Sequence, residues 1–270
     1  MADSPCEYLE FRPAHALLPY LECLWRFRVA RGVPEFGLAV PPSGGCNLTI
    51  MPDGTVFLDG PALEPVHVTV RGGEVYWGAR FWPGAAVALL GGDATPPPGG
   101  CTPIEQVLGG AEARRLAHET HRSQREADVV AAFERVFGGH LTSAADLDPE
   151  IMAGVFRIIG TCGATPIEAI ARDVGLSPRQ FRRRFAAATG MTPKVLATIR
   201  RIRATAAQAA QEATAEWDDI AAHRGYSDQA HLAREFRRLL GFSPTEYLAR
   251  ARQILHRGIP DLTVQGEIQD

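Results

Sequence analysis

Residues 175–193 read "GLSPRQFRRRFAAATGMTP" and residues 225–244 read "GYSDQAHLAREFRRLLGFSP". With one gap they align: Gly175 with Gly225, Phe181 with Leu232, Phe185 with Phe236, Gly190 with Gly241 and Pro193 with Pro244, the offset moving from 50 to 51 after the first glycine. A chain that spells one phrase twice must build one local unit twice. Each phrase follows a short amphipathic segment, "PIEAIARDVG" or "EWDDIAAHRG", in which Ile170 matches Ile220 and Gly175 and Gly225 stand where a helix needs a left-handed cap. Helix, tight turn and second helix make a helix-turn-helix. In the first unit Ser177 suits the N-cap, Pro178 the first helical position and Gln180 the reciprocal capping partner. Phe181, Phe185 and Ala188 then fall on one stripe, Arg179 and Arg183 lie opposite, and Arg182 and Arg184 lie on the flanks. In the second unit Leu232, Phe236 and Leu239 face inward. Ala230, His231, Arg234, Arg237 and Arg238 face outward or to the flanks, and Gln229 projects from the first turn.

A helix buried on one side and carrying arginine on the other fits a DNA major groove, where Arg pairs bidentately with guanine and Gln with adenine. Ser177, Ser227 and the amides at the helix starts suit phosphates. Taken alone, "RQFRRRF" reads equally as a solvated helix face; two occurrences of the same pattern move the weight to a reading surface. Between the units runs "TPKVLATIRRIRATAAQAAQEA", with Val195, Ile199, Ile202, Ala206 and Ala209 on one side. About twenty helical residues at roughly 1.5 Å each give a spacer of about 30 Å. That is close to the roughly 34 Å between successive major grooves on one face of B-DNA.

Charge divides the chain at the same place. Residues 1–150 carry 11 Arg against 19 acidic residues, whereas 151–258 carry 17 Lys and Arg against 9 acidic ones. A basic part suited to a polyanion sits behind an acidic one. Lys194 is the only lysine, which a GC-rich genome would also produce, so arginine count alone is not an argument for DNA. The chain is 46% hydrophobic and 22% charged, an ordinary globular composition. The apolar run at 83–90 is too short to span a bilayer, and the N-terminus lacks the basic-then-apolar order of a signal peptide. A cytoplasmic protein with no membrane partner is expected.

The front of the chain alternates with period two: Cys23, Trp25, Phe27 and Val29 against Arg26 and Arg28; Cys46, Leu48 and Ile50 against Asn47 and Thr49; Val66, Val68 and Val70 against His67 and Thr69. Turn signals such as "PPSGG", "PDG" and "RGG" lie between them. "TPPPGGCTP" at 95–103 breaks the pattern. Helical segments follow, "TPIEQVLGG", "AEARRLAHET" and "SQREADVVAAFERVF", the last opened by Ser123 and Glu126 in the manner of a capping box. The expected class is α+β: an antiparallel β domain with trailing helices over 1–140 that senses an effector or dimerises, a linker at 141–150, an all-α double helix-turn-helix at 151–258 and a tail at 259–270.

On these residues the C-terminal hundred or so positions resemble the DNA-binding domain of the AraC family of bacterial transcription regulators; "GYSDQAHLAREFRRLLGFSPTEY" carries that family's motif, with both units and the linking helix present. The resemblance implies sequence-specific binding to double-stranded DNA. It places Arg179, Arg182 and Arg183 of the first unit and Gln229, Ala230, His231 and Arg234 of the second at base-reading positions, although helical projection favours Arg183 over Arg182. Ala230 lacks a polar handle, so direct readout there is limited to an apolar contact such as a thymine methyl. "MPDGTVFLDGP", "ARFWPGAAVALLGG" and "TPIEQVLGGAEARRLA" resemble a domain of unknown function found in front of such units. For AraC-type regulators this implies an effector-binding or dimerising front domain, often cupin-like, and, in an activator, RNA polymerase as a partner.

Trp25, Phe27, Phe57, Tyr76, Trp77, Phe81 and Trp82 concentrate in the β region and are candidates for the lining of an apolar effector pocket, the alternative being simple core. "HETH", with His118 and His121, and the further His15 and His67 do not make a metal set without a clear third ligand. No metal or cofactor is expected. Of five scattered cysteines, Cys23 and Cys46 fall on inward strand positions, while Cys6 and Cys101 lie in flexible contexts and are the candidates for thiol sensing. No GxSxG, GxGxxG, P-loop or HExxH occurs, so an enzyme is not expected.

Overall fold

A computed structural model describes residues 6–91, 96–123, 125–211 and 217–248. The N-terminal part is built on a six-stranded antiparallel sheet in the order β1-β2-β7-β4-β5-β8: β1 (Cys6–Phe11), β2 (Leu21–Val29), β7 (Val75–Phe81), β4 (Asn47–Ile50), β5 (Val56–Asp59) and β8 (Cys101–Pro103). A second sheet pairs β3 (Phe36–Val40) with β6 (Val66–Val70). Period two gives each face of the large sheet its own core. Leu24, Leu48, Ile50, Leu58, Trp77, Ala79 and Phe81 face the helices α1 (Ala85–Leu90), α2 (Glu105–Leu108), α3 (Gly110–Arg122) and α4 (Glu126–His140). From α4, Val129, Phe133 and Phe137 fill that core. On the other face Cys6, Tyr8, Phe27, Val29 and Tyr76 meet Val70, with Phe36, Leu38 and Val68 of the small sheet packed against them.

Several expectations are corrected. The Pro-Gly break at 95–103 ends in strand β8, which pairs with β5 as Phe57↔Pro103 to Asp59↔Cys101. An edge strand accepts proline because one side of its backbone has no ladder to complete. Ser123 does not start α4: its hydroxyl donates to the Glu119 carbonyl at the end of α3, and the N-cap of α4 is Arg125. Arg26, placed outward by alternation, is buried; its guanidinium ion-pairs with Glu7 and Glu126 and lies over the Trp77 ring. Val66, placed inward, is exposed. Cys6 lies in β1 and is buried, not in a flexible segment. Within the linker stretch, Leu141 and Ala144 rest on the helix-covered core, and the Ala145 N–H donates to the Ala88 carbonyl at 2.8 Å.

The C-terminal part is helical: α5 (Pro149–Gly160), α6 (Ile167–Asp173), α7 (Pro178–Thr189), α8 (Pro193–Gln211), α9 (Trp217–His223) and α10 (Gln229–Leu240), followed by helical residues 244–248. Helix α8 serves two cores. Leu196 and Ala197 join Ile151, Val155, Ile158, Ile170, Phe181 and Phe185; a few residues on, Ile199, Ile202 and Ala206 join Ala221, Tyr226, Leu232, Phe236 and Leu239. Among the described residues no helix is long and apolar enough to cross a membrane.

Gly78 in β7 is a tight point of the large sheet, since a Cβ there would run into the Trp25 ring and the Leu48 carbonyl. Overpacking of this kind costs typically 1–3 kcal/mol. Gly78→Ala is expected to lower unfolding stability by about that amount in urea, whereas an unchanged midpoint would show that β2 and β4 yield freely around it.

Candidate nucleic-acid interface

The two repeats begin with the same turn. In the first, the Leu176 N–H donates to the Ala171 carbonyl at 2.9 Å and the Gly175 N–H to that of Arg172 at 3.0 Å; in the second, Tyr226 donates to Ala221 at 3.0 Å and Gly225 to Ala222 at 3.3 Å. This paired closure needs a left-handed residue, and Gly175 and Gly225 supply it with φ of +75° and +74°. The units then diverge. Ser177, two residues past its glycine, caps α7 in a complete capping box with Gln180, whereas Asp228, three residues past its glycine, caps α10 by accepting from the His231 N–H at 2.6 Å. The extra residue of the second phrase is spent in the turn.

Ser177, Arg179, Gln180, Arg182, Arg183, Ser227, Gln229, Ala230, Arg234, Arg237 and Arg238 are all exposed, and His231 is half-buried against the Tyr226 ring at 5.4 Å between centroids. They do not stand equally free. The Gln180 carboxamide oxygen accepts from the Ser177 backbone N–H at 3.1 Å and from its hydroxyl at 2.7 Å. Arg182 is ion-paired with Glu168 on α6, and Arg238 with Glu235 at 3.4 Å. Ser227 is not the cap; its hydroxyl lies 3.2 Å from the Asp228 carboxylate. Arg184 turns back to Asp148 (2.6 Å) and Glu150 (2.9 Å), fixing the start of α5. Burial works against the Asp148 carboxylate, but Arg184 and the Ile151 N–H outweigh it and hold its pKa below the usual range. Periodicity carried no signal for Glu168 or Asp228.

Helix α8 presents a second stripe, Leu196, Arg200 and Arg203, to the β domain. The seat is the "PPSGG" turn and a bulge in β2. Gly44, with φ of +82°, leaves room for the Leu196 side chain, and the Pro42 carbonyl accepts from Arg203 at 3.3 Å. The register of β2 on β7 shifts between Leu21 and Cys23, so Glu22 is the extra residue. A bulge re-aims a side chain, and Glu22 accepts from Arg200 at 3.0 and 3.3 Å with Arg80 at 3.9 Å. Arg80 in turn reaches Glu10 at 3.2 Å and the Tyr8 hydroxyl at 2.7 Å. Burial opposes the Glu22 charge, but Arg200 and Arg80 prevail and hold its pKa at about 2. Arg203 is lowered to about 10 by burial, with Arg80 and Arg200 adding to it. The β domain also approaches the C-terminal ends of α7 and α10. A Cβ on Gly84 would stand 2.9 Å from the Ala188 carbonyl, and Gly241 faces Pro65 and His67. Trp82 meets Phe156 of α5 edge-on at 5.2 Å. Sequence reasoning missed this contact, although a glutamate between Leu21 and Cys23 and arginines at 200 and 203 in line with Leu196 were its traces.

The seven aromatic candidates are not brought together. Trp77 and Phe81 lie in the helix-covered core, Phe27 and Tyr76 in the core between the sheets with Trp25 at its margin, and Trp82 donates to the Leu18 carbonyl beside α5. Phe57 is half-buried on β5. Cys23 and Cys46 are buried; burial raises both thiols, that of Cys46 to about 12. Cys101 is exposed, yet partial burial and Asp59 push its thiol up to about 11, away from reactive thiolate. Among the described residues no group of three or more His, Cys, Asp or Glu is arranged to hold a metal.

Residues 170–250 match the model of a helix-turn-helix domain, and residues 9–96 that of a domain of unknown function (DUF6597). No curated protein matches the chain. Similar solved structures include a transcriptional regulator with an AraC-type DNA-binding domain from Chromobacterium violaceum, 24% identical over 39% of this chain and 94% of that one, TM-score 0.36. The DNA-binding domain of AdpA, a global transcriptional factor in complex with a target DNA, is 26% identical over 40% of this chain and 98% of its own, TM-score 0.36. ToxT from Vibrio cholerae is 9% identical over 90% and 97%, TM-score 0.43.

The Glu22 contact carries a pH signature. A carboxylate whose pKa falls from about 4.3 unfolded to about 2 folded adds stability above pH 4.3, and that stability is lost as the pH drops through the folded value. Glu22→Gln is expected to cost about 2–3 kcal/mol near pH 7, with the gap to the parent protein closing between about pH 5 and pH 2 in urea titrations. A gap that does not change with pH would show that the carboxylate charge has no part in the contact.

Proposed function

We propose, from the premise that the C-terminal unit is an AraC-type helix-turn-helix domain, the DNA-binding part of a transcription regulator, that α7 and α10 read two adjacent major grooves of one operator. The observation that carries this reading is the pair of helices with identical closing turns, buried aromatic or leucine stripes and exposed arginine faces, joined by a helix of 19 residues. At about 1.5 Å per residue the joining helix is about 28 Å long. Arg179, Arg183, Gln229 and Arg234 are the base readers in this proposal, with Ala230 and His231 beside them. Arg182 is positioned by Glu168. Ser177, Ser227, Arg237 and Arg238 serve the phosphates, and Gln180 supports Ser177 through its cap.

We further propose that the N-terminal domain governs these readers through its seat on α8, in answer to a small effector held between the two sheets. Trp25, Phe27 and Tyr76 lie there, and the buried Nε1 of Trp25 has no acceptor among the described residues. A second reading, in which the front domain only dimerises or holds a protein partner, is favoured by the aromatics already committed to cores. Homodimerisation, and contact with RNA polymerase in an activator, belong to the same proposal. A thermal-shift screen of the full chain against small metabolites separates the two readings: a stabilising compound supports effector control, and a folded dimer with no response supports assembly alone.

Selection from random duplexes at fixed salt tests the DNA reading, and cognate binding should weaken steeply as salt rises. Arg183→Ala and Arg234→Ala are each expected to cost about 1–3 kcal/mol and to relax preference at one base position. Equal losses on the selected and on random duplexes would overturn base reading for that residue.

A further inference from the structure

Arg201 lies on α8 in the basic part of the chain, one residue from Arg200, yet its guanidinium is directed into the protein. Its Nη2 donates to the Gly163 carbonyl at 2.8 Å, its Nε is buried, and its guanidinium carbon lies 5.8 Å from the centre of the Tyr226 ring. These two partners belong to different helical cores: Gly163 follows α5, which packs with α6 and α7, whereas Tyr226 lies in the second unit. Gly163 ends the turn that closes α5: its N–H donates to the Ile158 carbonyl at 2.8 Å and that of Cys162 to the Ile159 carbonyl at 2.9 Å, with Cys162 itself at φ of +50°. The turn lies flat on α8, because a Cβ on Gly163 would collide with the Ala197 carbonyl. Tyr226 follows Gly225 in the turn of the second unit and is buried, and its ring meets His231 in the first turn of α10.

We infer that Arg201 is a positioning residue for two-groove recognition: it ties the turn that closes α5, the helix packed against α6 and α7, to the Tyr226 turn of the second unit and so sets the angle at which α10 stands to α7. The chemistry suits the task. A planar guanidinium donates along its edge to a carbonyl while its face stacks on an aromatic ring, so one side chain fixes both a distance and a plane. The continuous helix alone fixes the separation of the units but leaves each free to rock about its own apolar contacts, which are non-directional. A donor between them removes that freedom. This role rests on the two-groove reading for its consequence, though not for its geometry.

The test uses the full chain with nitroxide labels at exposed Ala187→Cys and Ala222→Cys, and with Cys101→Ser and Cys162→Ser to leave only buried native thiols. Spin-label distances in the otherwise unchanged protein should form one narrow distribution, and Arg201→Met should broaden it. On DNA, the selected duplex is compared with one whose second half is scrambled and with duplexes whose halves are moved one base pair nearer or farther. Arg201→Met is expected to weaken the intact site about five- to tenfold, to leave the half-scrambled duplex unchanged, and to flatten the preference for spacing. The salt slope should stay as it was, since no phosphate contact is lost. Tyr226→Leu, which removes the other end of the strut, should do the same and serves if Arg201→Met does not fold. An unchanged distance distribution overturns the inference, as does an equal loss on intact and half-scrambled duplexes. If the parent protein selects no sequence at all, the DNA reading fails, and the spin-label distances still decide the role of Arg201.

Discussion

The docking of α8 on the sheet decides where α7 and α10 lie relative to the β domain, and a buried carboxylate decides the docking. Apolar stripes on α8 would hold it to its two helical cores at any of several small rotations, because hydrophobic contact has no direction. Glu22 removes that latitude. A carboxylate in so dry a place must be met by cations at close range, and Arg200 from α8 and Arg80 from the sheet meet it together. Desolvation offsets part of the Coulomb gain, but Arg200 and Arg80 outweigh it, and the cluster selects a single register as well as stabilising the contact. Arg80 also reaches Glu10 and Tyr8 inside the sheet, so the register of the reading domain is joined to side chains of the front domain.

The two units share a core plan and differ where they would meet a phosphate. The Schellman turns are the same, and the buried stripes match except that Leu232 stands in place of Phe181 and Leu239 in place of Ala188. The difference is the cap. Ser177 is neutral, whereas Asp228 places a negative charge at the end of α10. An acidic N-cap complements the helix dipole, yet it opposes an approaching phosphate. In the proposed complex the first unit would therefore have the better anchor on the backbone, and the second would depend more on Gln229, His231 and Arg234 in the groove.

What the sequence made legible follows from which forces are periodic. Helix stripes and strand alternation are repeated along the chain, and so Phe181, Phe185, Leu232 and Phe236, or Leu48 and Ile50, were found by counting. Capping is local, and Ser177 with Gln180 was legible for that reason. The contacts that failed to show were single pairings across long stretches of sequence: Glu22 with Arg200, Arg26 with Glu126, Arg182 with Glu168. Alternation assigned Arg26 to solvent because it has no means of anticipating a carboxylate one hundred residues away. Cys6 was misjudged for a related reason, since strand β1 is a strand only by virtue of β2 beside it. The aromatic residues were correctly placed in the β region, but period two splits neighbours such as Tyr76 and Trp77 onto opposite faces, and so they cannot share a pocket.

The arginines of the basic half sort by what they touch, and this revises what its net charge means. Arg184 holds the start of α5, Arg182 answers Glu168, Arg200 answers Glu22, Arg203 reaches Pro42, and Arg201 lies between the turn after α5 and the Tyr226 ring. Their guanidinium groups are committed to partners within the protein, Arg182 at its surface and Arg200 and Arg203 inside it. Arg179, Arg183, Arg234, Arg237 and Arg238 are the arginines that face outward from α7 and α10 without serving those joints. A positive net charge counted from sequence therefore overstates the charge presented to DNA. It understates how much of the guanidinium chemistry is structural: the planar fork that suits a guanine edge or a phosphate suits a buried carboxylate or a turn carbonyl equally well. On the proposed function, a domain so rich in arginine would use one functional group both to read DNA and to hold α7 and α10 at their angle.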